Sequence, residues 1–302
     1  MTETRKALLA MVLACVVWGL SGLYYKLLSH VPPIEVLSHR TLWSAVVFSV
    51  VVLVQGQGAA LRDLLTGRRL ALVVLAALMI SANWFLFIFS VQTGHTVEAS
   101  MGYYIFPLVA VALGMVAFGE RLGRLQAVAV ALAALAVVLL TMGLGVAPWI
   151  ALAIAGSFGL YGLVKKRLGA PPVASVTAEV LVLAPLAALW LWAGATGQVQ
   201  EFGRPGGHFL DSPATAALLM VSGVLTAGPL MLFTYAVPRL RLGTVGVMQY
   251  LNPSLQFLVA TVIFAEPLTR WHVMAFALIW AGLGLYSLDA LRRSREASTA
   301  RA

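Results

Sequence analysis

The chain has 302 residues, of which 61% are apolar and only 10% charged. Soluble domains run at about 45–50% apolar and about 25% charged, so a soluble globular fold is excluded and the bilayer must solvate most of the surface. The net charge of +9 does not point to nucleic acid, because no basic patch on a matching fold accompanies it and membrane proteins gather Lys and Arg in loops as topology signals.

Apolar runs of spanning length, each about 20 residues, follow one another along the chain. They are Ala7–Leu28, Glu35–Val54, Leu70–Gln92, Val97–Phe118, Leu125–Met142, Pro148–Val164, Val173–Ala195, Pro213–Val237, Gly243–Phe264 and Trp271–Ala290. Arg5 and Lys6 before the first run resemble a signal peptide. The run is too long for a typical leader and lacks a convincing small-residue cleavage site, so it reads as a retained helix. Breakers separate the runs at Pro32-Pro33, Gly143-Leu144-Gly145 and Gly169-Ala170-Pro171-Pro172. The longest polar gap, Thr196–Ser212, reads as a loop. Cys15 sits alone inside the first run, where it forms no intrachain disulfide or structural metal site by itself. With the N-terminus inside, sixteen of the twenty Lys and Arg residues fall on the cytoplasmic side, which predicts both termini cytoplasmic.

A repeat underlies these runs. Phe118-Gly119-Glu120-Arg121-Leu122 matches Phe264-Ala265-Glu266-Pro267-Leu268 at an offset of 146, which also takes Tyr104 to Tyr250 and Pro107 to Pro253. Gly19-Leu20-Ser21-Gly22-Leu23 with Lys26 matches Gly159-Leu160-Tyr161-Gly162-Leu163 with Lys166 at an offset of 140. Five spans per half is odd, so like halves must sit in the membrane head to foot. The expected fold is all-α and integral to the membrane, with ten transmembrane helices as a 5+5 inverted-topology repeat. Residues 1–143 form the first repeat, 144–291 the second, and 292–302 a basic cytoplasmic tail. Such repeats suit alternating access around a midplane site.

Trp18-Gly19-Leu20-Ser21-Gly22-Leu23-Tyr24-Tyr25-Lys26, followed by Glu35 through Ser44, resembles the RarD (chloramphenicol-sensitivity) subfamily of EamA-type permeases in the drug/metabolite transporter superfamily. The resemblance implies an inner-membrane permease of ten helices. It carries over no residue-level site.

Charges inside spans are costly and face a cavity or a partner. Arg40 lies seven residues past Pro33, about 10 Å into its helix, with Trp43 and Ser44 on the same face. It reads as a fixed cation for an anionic solute group, or as an ion-pairing or snorkelling arginine. Glu98 begins the fourth span and is a candidate partner for Arg40 at the outer mouth. Glu179 is the buried charge of the second half, at the counterpart of His39-Arg40. Glu98, Glu179 and His39 are the candidate intramembrane proton carriers.

On the ninth span Gln249, Asn252 and Gln256 share a face. Asn83 and Ser90 do so on the third, and Tyr103 and Tyr104 precede Pro107. The expected substrate-binding set is Arg40, Trp43, Glu98, Tyr104, Glu179, Gln249 and Asn252. Trp18 and Trp84 read equally as packing and as stacking platforms. Glu120 and Glu266 read as helix N-terminal charges favoured by the macrodipole. Gly19, Gly22, Gly156, Gly159 and Gly162 read as close helix contacts.

No H-E-x-x-H, G-x-S-x-G or P-loop pattern occurs. No catalytic residue, metal or cofactor is therefore expected, and a pump carrying its own ATPase is excluded. The reading is a secondary transporter, permease or exporter of a small polar or amphipathic metabolite or drug. The alternative is an integral-membrane enzyme acting on lipid-linked substrates. Expected partners are a small-molecule substrate and the lipid bilayer, with a homodimer compatible and nucleic acid excluded.

Overall fold

The structure, a computed structural model, describes residues 2–118, 123–240 and 242–299, with side chains except at 118, 242, 243 and 290–299. The helices are α1 (Glu3–Leu27), α2 (Pro33–Val54), α3 (Gly58–Leu64), α4 (Gly67–Thr93), α5 (Thr96–Phe118) and α6 (Arg124–Leu144). They continue as α7 (Trp149–Leu168), α8 (Pro172–Ala195), α9 (Pro213–Ala236), α10 (Leu242–Gln249), α11 (Leu251–Leu258) and α12 (Arg270–Thr299). Among the described residues the extended structure is one small antiparallel hairpin, β1 (Gln200–Glu201) with β2 (Arg204–Pro205). Eight helices, α1, α2, α4, α5, α6, α8, α9 and α12, are long and apolar enough to cross a membrane.

The punctuation follows the residue chemistry. Pro33 and Pro172 open α2 and α8, where a missing N–H costs nothing and φ is already helical. Gly94 and Gly169 close α4 and α7 in the left-handed conformation. The run Gly243–Phe264, expected as one helix, is broken into α10, α11 and a π-helical turn at Val259–Ile263. Pro253 lacks the N–H that residue 249 would receive and its ring crowds that carbonyl, so the helix parts at Tyr250. Its repeat partner Pro107 is absorbed within an unbroken α5.

Helix contacts join the two halves throughout. α2 packs on α8, α6 on α12, α1 on α9, α4 on α7, α5 on α7 and α11 on α1. Glycines permit the close approaches, the tightest being that of Gly143 on α6 to the Trp271 ring of α12. A Cβ on Gly223 of α9 would stand 2.5 Å from the Trp43 carbonyl carbon of α2, and one on Gly19 of α1 would stand 2.7 Å from the Leu255 Cβ of α11. Gly159 is likewise tight against Leu113, whereas Gly156 and Gly162 face open space. The last two therefore do not serve the close packing that their type suggests.

The bundle has two distinct ends. At one, Glu3 binds the Tyr235 hydroxyl at the end of α9. There α3, a short helix in a segment read as a link, buries Leu64 against Val73, Leu168, Ala174 and Ala178. At the other end the Thr196–Ser212 segment folds into the β1–β2 hairpin and a 3-10 turn at His208–Leu210. Glu201 accepts the Ile34 N–H at the start of α2 at 2.9 Å through each oxygen. Glu35 accepts the amides of Gly207 at 3.2 Å and His208 at 2.7 Å, and pairs with the His208 ring at 2.9 Å. Arg204 donates to the Ser29 carbonyl at 2.8 Å, and Phe209 stacks on His39 at 4.9 Å. Burial pushes the Glu201 carboxyl above its usual range, while the Ile34 amide draws it down. The loop is thus a docked cover across the start of α2.

Glu266 also departs from expectation. It accepts the N–H groups of Thr96 at 2.9 Å and Val97 at 2.8 Å. It is a helix N-terminal charge, but for α5 rather than for the α12 that follows it. Its repeat partner Glu120 lies outside the described residues.

Candidate functional site

Two buried charged clusters stand at matching positions of the halves. In the first, α2 carries Arg40, 7% exposed. Its Nε donates to the Thr226 hydroxyl of α9 at 3.0 Å. Its guanidinium lies over the Trp84 ring of α4 at 3.9 Å and over Tyr25 of α1 at 5.8 Å. Guanidinium stacking on an indole face is favourable and fixes the plane of the fork. Among the described residues no carboxylate stands within ion-pairing distance of Arg40. Glu98 instead sits half-buried in the first turn of α5, within the electrostatic reach of His95 and Glu266.

In the second cluster, α8 carries Glu179, 1% exposed. It pairs with Lys165 of α7 at 2.7 Å, accepts the Ser175 hydroxyl at 2.9 Å and accepts the Tyr161 hydroxyl at 3.1 Å. Lys165 also donates to Ser175. Four polar side chains within two adjacent helices satisfy one another, as a buried carboxylate requires.

A run of rings connects the two. Tyr161 stacks on Phe158 at 6.0 Å, Phe158 meets Tyr103 at 6.0 Å, Tyr103 meets Phe87 at 6.0 Å and Phe87 meets Tyr25 at 5.9 Å. Midway, the Tyr103 hydroxyl donates to Asn83 at 2.8 Å, and Asn83 donates to the Ile154 carbonyl at 3.1 Å. Asn83 is therefore a buried joint between α4, α5 and α7.

The other expected site residues scatter. Trp43 lies half-buried one turn from Arg40, at the tight α2–α9 crossing made by Gly223. Tyr104 is buried elsewhere, bonded to Ser254 at 2.6 Å and packed against Phe276 and Trp280. Asn252 accepts from Gln256 at 3.0 Å, and its carbonyl approaches Gly19. Gln249 is exposed at the end of α10. Thr226, Lys165, Ser175 and Tyr161 escaped the sequence reading. Lys165 looked like one more topology charge, yet the repeat offset of 140 places it opposite Tyr25. That offset was the available signal: the Tyr25–Arg40 and Lys165–Glu179 contacts are the same α-helix pairing in each half.

The sequence model of the EamA-like transporter family matches residues 5–142. Protein RarD of Streptomyces exfoliatus is 42% identical over 97% of this chain and 91% of that protein. This chain belongs to the EamA-like transporter family. Protein RarD of Escherichia coli is 36% identical over 98% of each chain. The uncharacterized transporter YojE of Bacillus subtilis is 38% identical over 97% of each. A crystal structure superposes with a TM-score of 0.61 at 20% identity, covering 95% of this chain and 98% of that one, which is a likeness of fold. The chain is accordingly a multi-pass membrane transporter of the EamA family and not an enzyme.

Proposed function

We propose that the chain is a secondary transporter that moves a small polar or amphipathic metabolite, with drugs as further cargo, by alternating access. On this reading the eight long apolar helices are joined as spans by α7 and by the α10–α11 segment. The ten spans form two inverted units in the cytoplasmic membrane, with both termini inside and the hairpin outside. The contact pattern supports a two-fold relation between the units, and an odd number of spans in each makes that relation an inversion. Exchanging first-half for second-half helices turns α1–α9 into α7–α4 and α5–α7 into α11–α1, and leaves α2–α8 and α6–α12 as they are. The observation that carries the reading is the pair of buried charged clusters around Arg40 and Glu179, one per unit, joined by the Tyr25-to-Tyr161 aromatic run. A bistable pair of like units around a polar centre is the arrangement alternating access uses. The site residues are Arg40, Trp84, Tyr103, Asn83, Tyr161, Lys165 and Glu179.

Flux into proteoliposomes tests this. Protein-dependent uptake or counterflow of some member of a broad metabolite panel is expected, and Arg40→Gln inserts normally yet loses it. Flux equal to that of empty vesicles across the panel rejects the transporter mechanism proposed.

A further inference from the structure

Arg40 is a cation whose protein partners leave its outer edge unused. The Thr226 hydroxyl takes Nε, Trp84 covers one face at 3.9 Å, and Tyr25 lies at 5.8 Å. Among the described residues neither terminal nitrogen has a hydrogen-bond acceptor, although Arg40 is only 7% exposed. The one deeply buried carboxylate across the aromatic run, Glu179, is fully engaged by Lys165, Ser175 and Tyr161. A buried charge with no counter-charge is costly. Proteins retain such groups where the counter-charge arrives with a ligand.

We infer that the transported solute carries a carboxylate or similar planar monoanion, held bidentate by the two terminal nitrogens of Arg40. This rests on the transporter reading above and narrows its substrate. The geometry favours this class over others. Thr226 and Trp84 fix the guanidinium in rotation and in plane, so the free edge presents two parallel N–H donors. Two coplanar oxygens match that edge. A phosphate dianion would call for a second cation. Lys165 is committed to Glu179, and Lys26 is exposed, over the Phe264 ring at 5.2 Å. A cationic solute would meet Arg40 with repulsion, and its natural partner, Glu179, already holds an ammonium. Trp84 and Thr226 are then positioning residues for the arginine.

The test uses the cell's own pool of small metabolites as probe. Cells producing the full chain, Arg40→Gln, Arg40→Lys or no protein are compared by mass spectrometry of the medium and the cytoplasm. The species that depend on the wild-type chain are expected to carry an acid ionised at neutral pH, and to lose that dependence in Arg40→Gln. Vesicle flux of the species so found then gives half-saturation. Arg40→Lys keeps the charge and loses the fork, so half-saturation should rise about tenfold or more, with normal amounts of folded protein.

Protein-dependent species that are cations or uncharged overturn the anion inference and leave transport standing. No protein-dependent species at all overturns transport, and the inference with it. If Arg40→Gln fails to insert, Arg40→Lys decides. Unchanged half-saturation with less folded protein assigns Arg40 a packing role and overturns the proposal.

Discussion

Removing Lys165 should destabilise the bundle more than removing Lys165 and Glu179 together. The Glu179 carboxylate, 1% exposed, has three donors at 2.7, 2.9 and 3.1 Å, and Lys165 is the charged one. Lys165→Met keeps the aliphatic stem and deletes the ammonium. Two neutral donors remain, each worth about 1 kcal/mol, against a charge stranded in a low-dielectric interior. Breaking a buried pair from one side costs about 3–5 kcal/mol. Glu179→Gln strands less. The Lys165 side chain is 21% exposed and its ammonium can turn toward water, so a loss of roughly 1–3 kcal/mol is expected. In the double variant no bare charge remains, and the loss should fall below that of Lys165→Met alone. The coupling is therefore about 2 kcal/mol or more. Equilibrium unfolding in mixed dodecyl maltoside and SDS micelles, followed by helical circular dichroism, measures all four corners of the cycle. Single losses that simply add in the double variant, to within about 0.5 kcal/mol, would refute the idea that the pair is held together by charge.

Other expectations follow from the same contacts. Gly223→Ala places a methyl 2.5 Å from the Trp43 carbonyl carbon and should cost about 1–3 kcal/mol in the same unfolding assay, while Gly156→Ala, facing open space, should be neutral. Glu35→Ala removes the acceptor for the Gly207 and His208 amides, so their hydrogen exchange, read by mass spectrometry, should speed up roughly ten- to hundredfold. Burial holds the Glu201 carboxyl above its usual range, so the docked hairpin binds that proton more tightly than the undocked one. Its contribution to docking is full below about pH 4.3, the unperturbed value, and is lost as pH rises through the raised one. Hairpin exchange protection should therefore decline over that window, and Glu201→Gln should flatten the decline. Glu266→Ala strips the amides of Thr96 and Val97 and should cost about 0.5–2 kcal/mol, with the exchange change confined to the first turn of α5.

Eight of the spans were legible because hydropathy and breakers agree. Pro33 and Pro172 begin helices where the double prolines stand, and Gly94 and Gly169 end them. The break at Tyr250 was not, because Pro107 and Pro253 look equivalent and only packing decides whether the neighbours hold the helix together. Arg40 and Glu179 were legible as charges in apolar runs. Their partners were not, since Thr226 is one of many helix threonines and Lys165 shares a basic cluster with Lys166 and Arg167. Tyr104 stood beside Tyr103 in the sequence, yet adjacent helical positions point about 100° apart. One joins the aromatic run, while the other packs toward α12. The hairpin cover escaped notice because its anchors, Glu35 and Glu201, are far apart in the chain and meet only after folding.

The hairpin and α3 cover opposite ends of the molecule by different forces. Carboxylates on backbone amides pin the first, and leucine against hydrocarbon glues the second. Both carboxylates are buried, so salt in the surrounding medium screens them little, whereas cooling slackens the hydrocarbon contact. Cooling should therefore loosen the α3 end before the hairpin end, and hydrogen exchange of the two segments at two temperatures would show it.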